Sequence, residues 1–133
     1  MNKIFQGNCL EVLKNLEDES VNCVITSPPY YGLRDYGVDG QIGLEKTPEL
    51  YVAKMVEVFR EVKRVLRKDG VLWLNLGDKF NSEPSGVRAP GRWPKQSRND
   101  HKSGQGITPT LKPKDLCGIP WRVAFALQAD GWY

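Results

Sequence analysis

Residues 47–76 read TPELYVAKMVEVFREVKRVLRKDGVLWLNL. Val52, Met55, Val56, Phe59, Val62 and Leu66 recur at three- and four-residue steps, which predicts one amphipathic helix over about 48–68. Thr47 stands at the N-cap position, Pro48 at the first helical position, and Glu49 favours the positive end of the helix dipole. Asp69-Gly70 is expected to end the helix, and VLWLNL (71–76) then reads as a strand buried on both faces. VNCVIT (21–26) has the same β-branched, apolar character upstream. Strand, crossover helix and strand in that order imply parallel pairing with a right-handed connection. The expected class is α/β.

Working outward, KIFQ (3–6) is expected to form a short strand. A helix near 9–16 would follow, with Asn8 as its cap and Glu11 completing a capping box, and Leu10, Leu13 and Leu16 as its apolar face. A last helix is predicted from Leu116 or Pro120 to Ala129, burying Trp121, Val123, Ala124, Phe125 and Leu127 and closed by Gly131. Trp132-Tyr133 reads as the opening of another strand, so the sequence is expected to be cut short. There is no internal repeat.

The chain has 133 residues, 40% of them hydrophobic and 26% charged, which suits one domain with a modest core rather than a disordered chain. No apolar run reaches the roughly 18–20 residues of a membrane span, and MNKIFQGN lacks a signal-peptide pattern, so a cytoplasmic protein is expected. Cys9, Cys23 and Cys117 contain no CxxC pair and read as reduced, mostly buried thiols, with no metal site.

The net charge of +3 is unevenly spread. Lys79, Arg88, Arg92, Lys95, Arg98, Lys102, Lys112 and Lys114 face only Glu83 and Asp100 in their segment, while the remainder is slightly acidic. A basic loop over 80–113, rich in Gly, Pro and Ser, therefore points to a polyanion. Arg88, Arg92, Lys95, Arg98 and Lys102 are the candidate phosphate contacts, with Trp93 as a stacking or wedge residue and His101 as a solvated loop residue.

The chemistry is expected at Thr26-Ser27-Pro28-Pro29-Tyr30, at the carboxyl end of the first strand, where open α/β sheets bind their ligands. Two prolines fix the backbone and remove two N–H donors, so the carbonyls around them become rigid acceptors. Ser27 adds a side-chain oxygen, and Tyr30 adds a flat ring with a polar tip. Acceptors beside a stacking face suit a planar group that bears an amino substituent, such as a nucleobase. A plain Pro-Pro turn with a packed tyrosine is the alternative for the motif taken alone.

With TSPPY, the following Gly/aromatic loop (Tyr31 to Gly37), the long helix and Asn75-Leu76-Gly77-Asp78, the chain resembles the amino-methylating DNA methyltransferases. Their hallmark is (Asp/Asn/Ser)-Pro-Pro-(Tyr/Phe), and Ser in first place after Thr looks like the cytosine-N4 branch. GNCLEVL before the motif and IPWRVAFALQADGW after it extend the likeness along the chain. The resemblance implies a partial Rossmann-like methyltransferase sheet of parallel strands and crossover helices. It implies methyl transfer from S-adenosylmethionine to the exocyclic amino group of a base flipped out of double-stranded DNA. Cytosine N4 is the expected target and adenine N6 the alternative.

By that analogy Ser27, Pro28, Pro29 and Tyr30 carry catalysis. Ser27 and the Pro28 carbonyl would accept from the amino group, and Tyr30 would stack on the base. Tyr31, Arg34, Asp35 and Tyr36 border the pocket or touch DNA, with Arg34 counted among the nucleic-acid contacts. Asp78 is a weak candidate for lining the cofactor or base pocket, with a helix cap or turn as the alternative. The family's Asp-Pro-Phe-x-Gly-x-Gly-like cofactor segment does not occur in this sequence. A catalytic motif this near the N-terminus resembles the β-type motif order, so residues 1–133 are expected to be an N-terminal catalytic half. A C-terminal half or second chain would complete it, and the chain alone would be inactive or only bind DNA. A prokaryotic or phage modification system is the implied setting.

Overall fold

The computed structural model describes residues 2–82 and 107–133. Along the chain run α1 (Cys9–Leu13), β1 (Val21–Thr26), α2 (Pro48–Val65), β2 (Leu66–Leu74) and α3 (Ile119–Ala129). β1 and β2 pair in parallel, with Cys23, Val24, Ile25 and Thr26 opposite Val71, Leu72, Trp73 and Leu74. The α/β class and the strand–helix–strand unit are therefore as the sequence implied.

Helix α2 begins where its capping residues dictate. Thr47 is extended and its Oγ1 accepts from the Leu50 amide at 3.3 Å, while Pro48 opens the first turn. Its buried side is Pro48, Tyr51, Met55, Val58, Phe59, Val62 and Val65. Val52 and Val56, expected on that face, are only half-buried, so the true stripe is rotated toward Tyr51 and Val58.

The helix ends at Val65, three residues before the expected stop. The amides of Glu19 and Ser20 donate to the carbonyls of Arg64 and Val65 at 3.0 and 2.9 Å, and Leu66 is already extended beside Val21. These bonds satisfy two terminal carbonyls that a further turn would have claimed. Asp69-Gly70 consequently lies inside β2, in an irregularity where Val21 to Cys23 faces Leu66 to Val71.

The sheet corrects a second expectation, since neither strand is buried on both faces. Val24, Leu72 and Leu74 are half-buried against the core, whereas Ile25 is 80% and Trp73 66% exposed, with Cys23 and Val71 exposed beside them. Helices α1 and α3 both pack against α2. Among the described residues no element covers the Ile25–Trp73 face.

Residues 3–6 form no strand, and Ile4 and Phe5 are exposed. Helix α1 is shorter than expected, with Asn15 and Leu16 closing tight turns onto Val12 and Leu13. Asn8 Oδ1 caps the Leu10 amide at 2.9 Å, but Glu11 pairs with Lys14 instead of closing the box. Helix α3 buries Ile119, Val123 and Leu127 at four-residue steps. Trp121, Ala124 and Phe125, expected inside, lie on its exposed side.

Gly131 ends α3 at φ 95°, with its amide bonded to the Gln128 carbonyl and that of Trp132 to Leu127, a Schellman closure. Trp132 turns back to meet Phe59 edge-on at 6.5 Å, so Trp132-Tyr133 starts no strand. Two α2 cations hold the same corner. Arg60 grips the Asp130 carboxylate at 2.6 and 2.9 Å, and Lys63 Nζ donates to the Gly131 carbonyl at 2.6 Å.

The described ends of the predicted basic loop are joined. Phe80 and Leu116 form an antiparallel bridge, and fully buried Asn81 donates its side-chain amide to the Leu111 and Lys112 carbonyls while its Oδ1 accepts from the Thr108 amide at 2.8 Å.

Candidate active site

Beyond Thr26, β1 opens into a cleft of about 290 Å³ lined by Ser27, Pro28, Pro29, Tyr30, Leu33, Arg34 and Tyr36. The structure thus brings the four motif residues together with Arg34 and Tyr36, at the carboxyl end of the strand. The volume sits near the lower edge of the range for small-molecule sites.

The carbonyls of this segment are unequally engaged. Thr26 accepts from the Asn75 amide at 3.0 Å, Pro29 from the Tyr51 hydroxyl at 3.0 Å, and Tyr30 from the Leu33 amide at 3.3 Å. Among the described residues the Ser27 and Pro28 carbonyls have no such partner. The Ser27 hydroxyl donates to the Tyr30 hydroxyl at 3.2 Å. With its O–H directed to Tyr30, the Ser27 oxygen offers its lone pairs to a third group.

Two glycines make room for this arrangement. A Cβ on Gly77 would lie 2.5 Å from Tyr30 Cδ2, so the tyrosine ring rests directly on the backbone beyond β2. A Cβ on Gly43, whose φ is 105°, would lie 3.0 Å from the Tyr30 carbonyl oxygen and 3.3 Å from Pro29 Cβ. The rim is tied by Gln41, whose Nε2 donates to the Arg34 carbonyl at 2.9 Å and whose Oε1 accepts from the Tyr36 amide at 2.6 Å.

Sequence reasoning misses Leu33, Gln41, Gly43, Tyr51 and Gly77 as individual parts of the site. For Tyr51 the sequence signals burial, through the 51, 55, 58, 62, 65 stripe of α2, and not its place in the site.

Other candidates fall elsewhere. Tyr31 is buried, its ring tilted against Tyr51 at 5.7 Å between centroids and covered by Lys79 Nζ at 5.7 Å. Asp35 turns its carboxylate to the Gly37 amide. Asp78 does not line the cleft: its Oδ1 accepts from the Lys79 amide at 2.8 Å and the Ile119 amide at 3.2 Å, capping α3 where Gly118 has no side chain to do so. Arg88, Arg92, Lys95, Arg98 and Lys102, with Trp93 and His101, lie outside the described residues. No cluster of potential metal ligands occurs among those described.

Burial shifts the phenols of the site. Desolvation pushes Tyr51 well above the ordinary tyrosine range, with Glu45 and Tyr30 adding to it, and raises Tyr31 as well. Tyr51 is therefore a protonated donor at neutral pH. Burial likewise raises the Cys117 thiol, whereas Cys9 and Cys23 are exposed, so one cysteine of the three is buried and not most of them.

The strand ends present a Pro-Pro segment and Asn75 to Asp78. Asp78 Oδ1 is engaged by the start of α3, while its Oδ2 is buried without a hydrogen-bond partner among the described residues. The described residues fit the acceptor group of a transfer, and toward a methyl donor they offer no more than this one carboxylate oxygen.

The chain belongs to the DNA methylase family of the N6/N4 methyltransferase type, whose model matches residues 21–133. Among curated proteins it is 54% identical to the Type II methyltransferase M.XycI of Xanthomonas campestris pv. cyanopsidis and 52% identical to M.Cfr9I of Citrobacter freundii, each over 98% of this chain. M.SmaI of Serratia marcescens is 48% identical over the same share. The chain spans 43–44% of the length of these relatives. No solved structure matches it. Among the described residues no helix is long and apolar enough to cross a membrane.

Proposed function

We propose that the protein is the catalytic half of a cytoplasmic, site-specific DNA methyltransferase that moves a methyl group from S-adenosylmethionine to cytosine N4. One observation carries this reading: Ser27 and Pro28 line the cleft, and the Pro28 carbonyl has no hydrogen-bond partner among the described residues, while the neighbouring carbonyls of Thr26, Pro29 and Tyr30 are bound internally. An exocyclic amino nitrogen is a poor nucleophile because its lone pair is delocalised into the ring. Two fixed acceptors on its hydrogens favour a tetrahedral nitrogen and return the lone pair for attack. They act most strongly as positive charge develops on nitrogen, which is where preorganised dipoles lower a barrier. Tyr30, seated on Gly77, stacks on the flipped base, and Pro29 keeps the segment rigid. No covalent enzyme intermediate is required.

In the same reading β1 and β2 are neighbouring strands of a larger Rossmann-like sheet, and the rest of the protein supplies the donor site. Arg34, Arg88, Arg92, Lys95, Arg98 and Lys102 contact the DNA backbone. The Type II naming of the relatives supports a restriction-modification setting. The test is nucleoside analysis. The chain, alone and fused to the downstream part of the Xanthomonas relative, is expressed in a host free of DNA methylation, and the hydrolysed DNA is read by mass spectrometry. N4-methyl-2′-deoxycytidine is expected from the fused form. N6-methyl-2′-deoxyadenosine would transfer the reading to adenine, and no methylated base would overturn it.

A further inference from the structure

We propose that Tyr51 is a positioning residue of the active site, fixing the carbonyl of Pro29 so that the carbonyl of Pro28 is left to the substrate amino group. The inference rests on the base-pocket reading above and adds a residue that lies outside the Ser-Pro-Pro-Tyr motif.

A Pro-Pro pair brings two carbonyls and no amide hydrogens, so nothing within the motif decides which carbonyl a ligand meets. The rest of the fold must decide. Tyr51 is fully buried one turn into α2, its amide bonded to the Thr47 carbonyl at 3.2 Å, and its ring wedged against Tyr31. From that anchor its hydroxyl reaches across 22 residues of sequence to Pro29 O at 3.0 Å. On the other side the Gly43 backbone comes so near that an added Cβ would lie 3.3 Å from Pro29 Cβ and 3.0 Å from the Tyr30 carbonyl oxygen, and its own carbonyl accepts from the Gly32 amide at 2.6 Å. The Pro29 peptide is thus gripped between the start of α2 and the Gly43 turn. With φ of both prolines fixed by their rings, the grip on Pro29 also sets the direction of the preceding Pro28 carbonyl.

A buried tyrosine hydroxyl must find a hydrogen-bond partner, and the one this fold supplies is the Pro29 carbonyl. Loss of that oxygen leaves the Pro29 carbonyl without its donor and the peptide free to rotate, which lets it compete with Pro28 for the amino group. The consequence is a loss of discrimination for an N–H donor, with stacking retained.

The experiment uses the chain itself. Pro29-Tyr30 is the single Pro-Tyr step in the sequence. Labelling with carbonyl-¹³C proline and ¹⁵N tyrosine therefore gives one carbonyl–amide cross-peak, which reports on this hydrogen bond. The probes are 2′-deoxycytidine and its N4,N4-dimethyl derivative, which has the same ring and no N–H donor. The unmutated chain is expected to prefer deoxycytidine by about fivefold, the worth of one net hydrogen bond. In Tyr51→Phe the Pro29 carbonyl resonance should move toward its unbonded position and the preference should fall below about twofold, while circular dichroism is unchanged. 3-Fluorotyrosine at position 51, which keeps the donor, should restore both. A Tyr51→Phe chain that keeps its preference, or whose Pro29 carbonyl does not move, overturns the positioning role alone. An unmutated chain that answers to neither nucleoside overturns the base-pocket reading and this proposal with it. If Tyr51→Phe does not fold, the fluorotyrosine chain decides: unchanged resonance and preference relative to tyrosine support the role, and lost preference with the donor present overturns it.

Discussion

At the scale of single residues, Ser27 is the side chain whose chemistry is most constrained by what surrounds it. A serine hydroxyl is both donor and acceptor, and a site that must receive an amino group needs only the second function. The Ser27 hydroxyl donates to the Tyr30 hydroxyl at 3.2 Å, which leaves its lone pairs to face a third group. Ser27→Ala removes this acceptor but leaves the cleft wall and the Tyr30 ring on Gly77 in place. The expected result is a turnover reduced about tenfold or more with DNA affinity changed less than about twofold, the pattern of an interaction made chiefly in the transition state. Parallel measurement of kcat and of DNA binding by the fused enzyme checks it. Equal losses in both would assign Ser27 to binding.

At the scale of elements, Asn81 organises more backbone than any helix cap among the described residues. Its side chain serves the Thr108 amide and the carbonyls of Leu111 and Lys112, while its own amide and carbonyl bond Asp115 and Lys114 at 2.7 Å each. It thereby fastens residues 108–115 beside the bridge of Phe80 and Leu116, just before α3. Asn81→Ala leaves several buried backbone groups without partners. We expect a loss of about 2–4 kcal/mol, from two or more buried groups each worth about 1–3 kcal/mol, read as a lower urea midpoint.

Such long-range clamps mark the limit of what the sequence shows. Thr47-Pro48 signals the start of α2 because a cap acts on its own next turn. The end of α2 escapes sequence reading because amides of Glu19 and Ser20, some 45 residues away, set it, and local punctuation at Asp69-Gly70 cannot reveal them. The motif residues of the cleft are legible because proline and serine declare their chemistry locally. Tyr51 is not, since a tyrosine in a helix says nothing of the carbonyl its oxygen will reach. Asp78 is half legible: its strand-end position suggests a ligand, and the uncapped start of α3 claims the carboxylate instead.

At the scale of the molecule, one side of the sheet is a core and the other is left uncovered by the described residues. Tyr51, Met55, Phe59, Val62, Ile119, Val123 and Leu127 form a continuous cluster, onto which Val24, Leu72 and Leu74 pack from the strands. The β-branched, apolar composition of VNCVIT and VLWLNL predicts burial on both faces, yet Ile25 and Trp73 stand exposed as a cross-strand pair. β-branched, apolar composition reports fitness for a pleated strand and does not by itself separate one covered face from two. The two faces should therefore answer differently to mutation in this chain. Phe59→Ala, which empties a fully enclosed site, is expected to lose about 3–5 kcal/mol. Ile25→Thr and Trp73→Thr, which trade exposed apolar surface for a β-favouring polar residue, should each change stability by less than about 1 kcal/mol. Urea unfolding of the three variants measures the contrast. Losses at Ile25 and Trp73 as large as that at Phe59 would mean that the chain covers its second sheet face in solution.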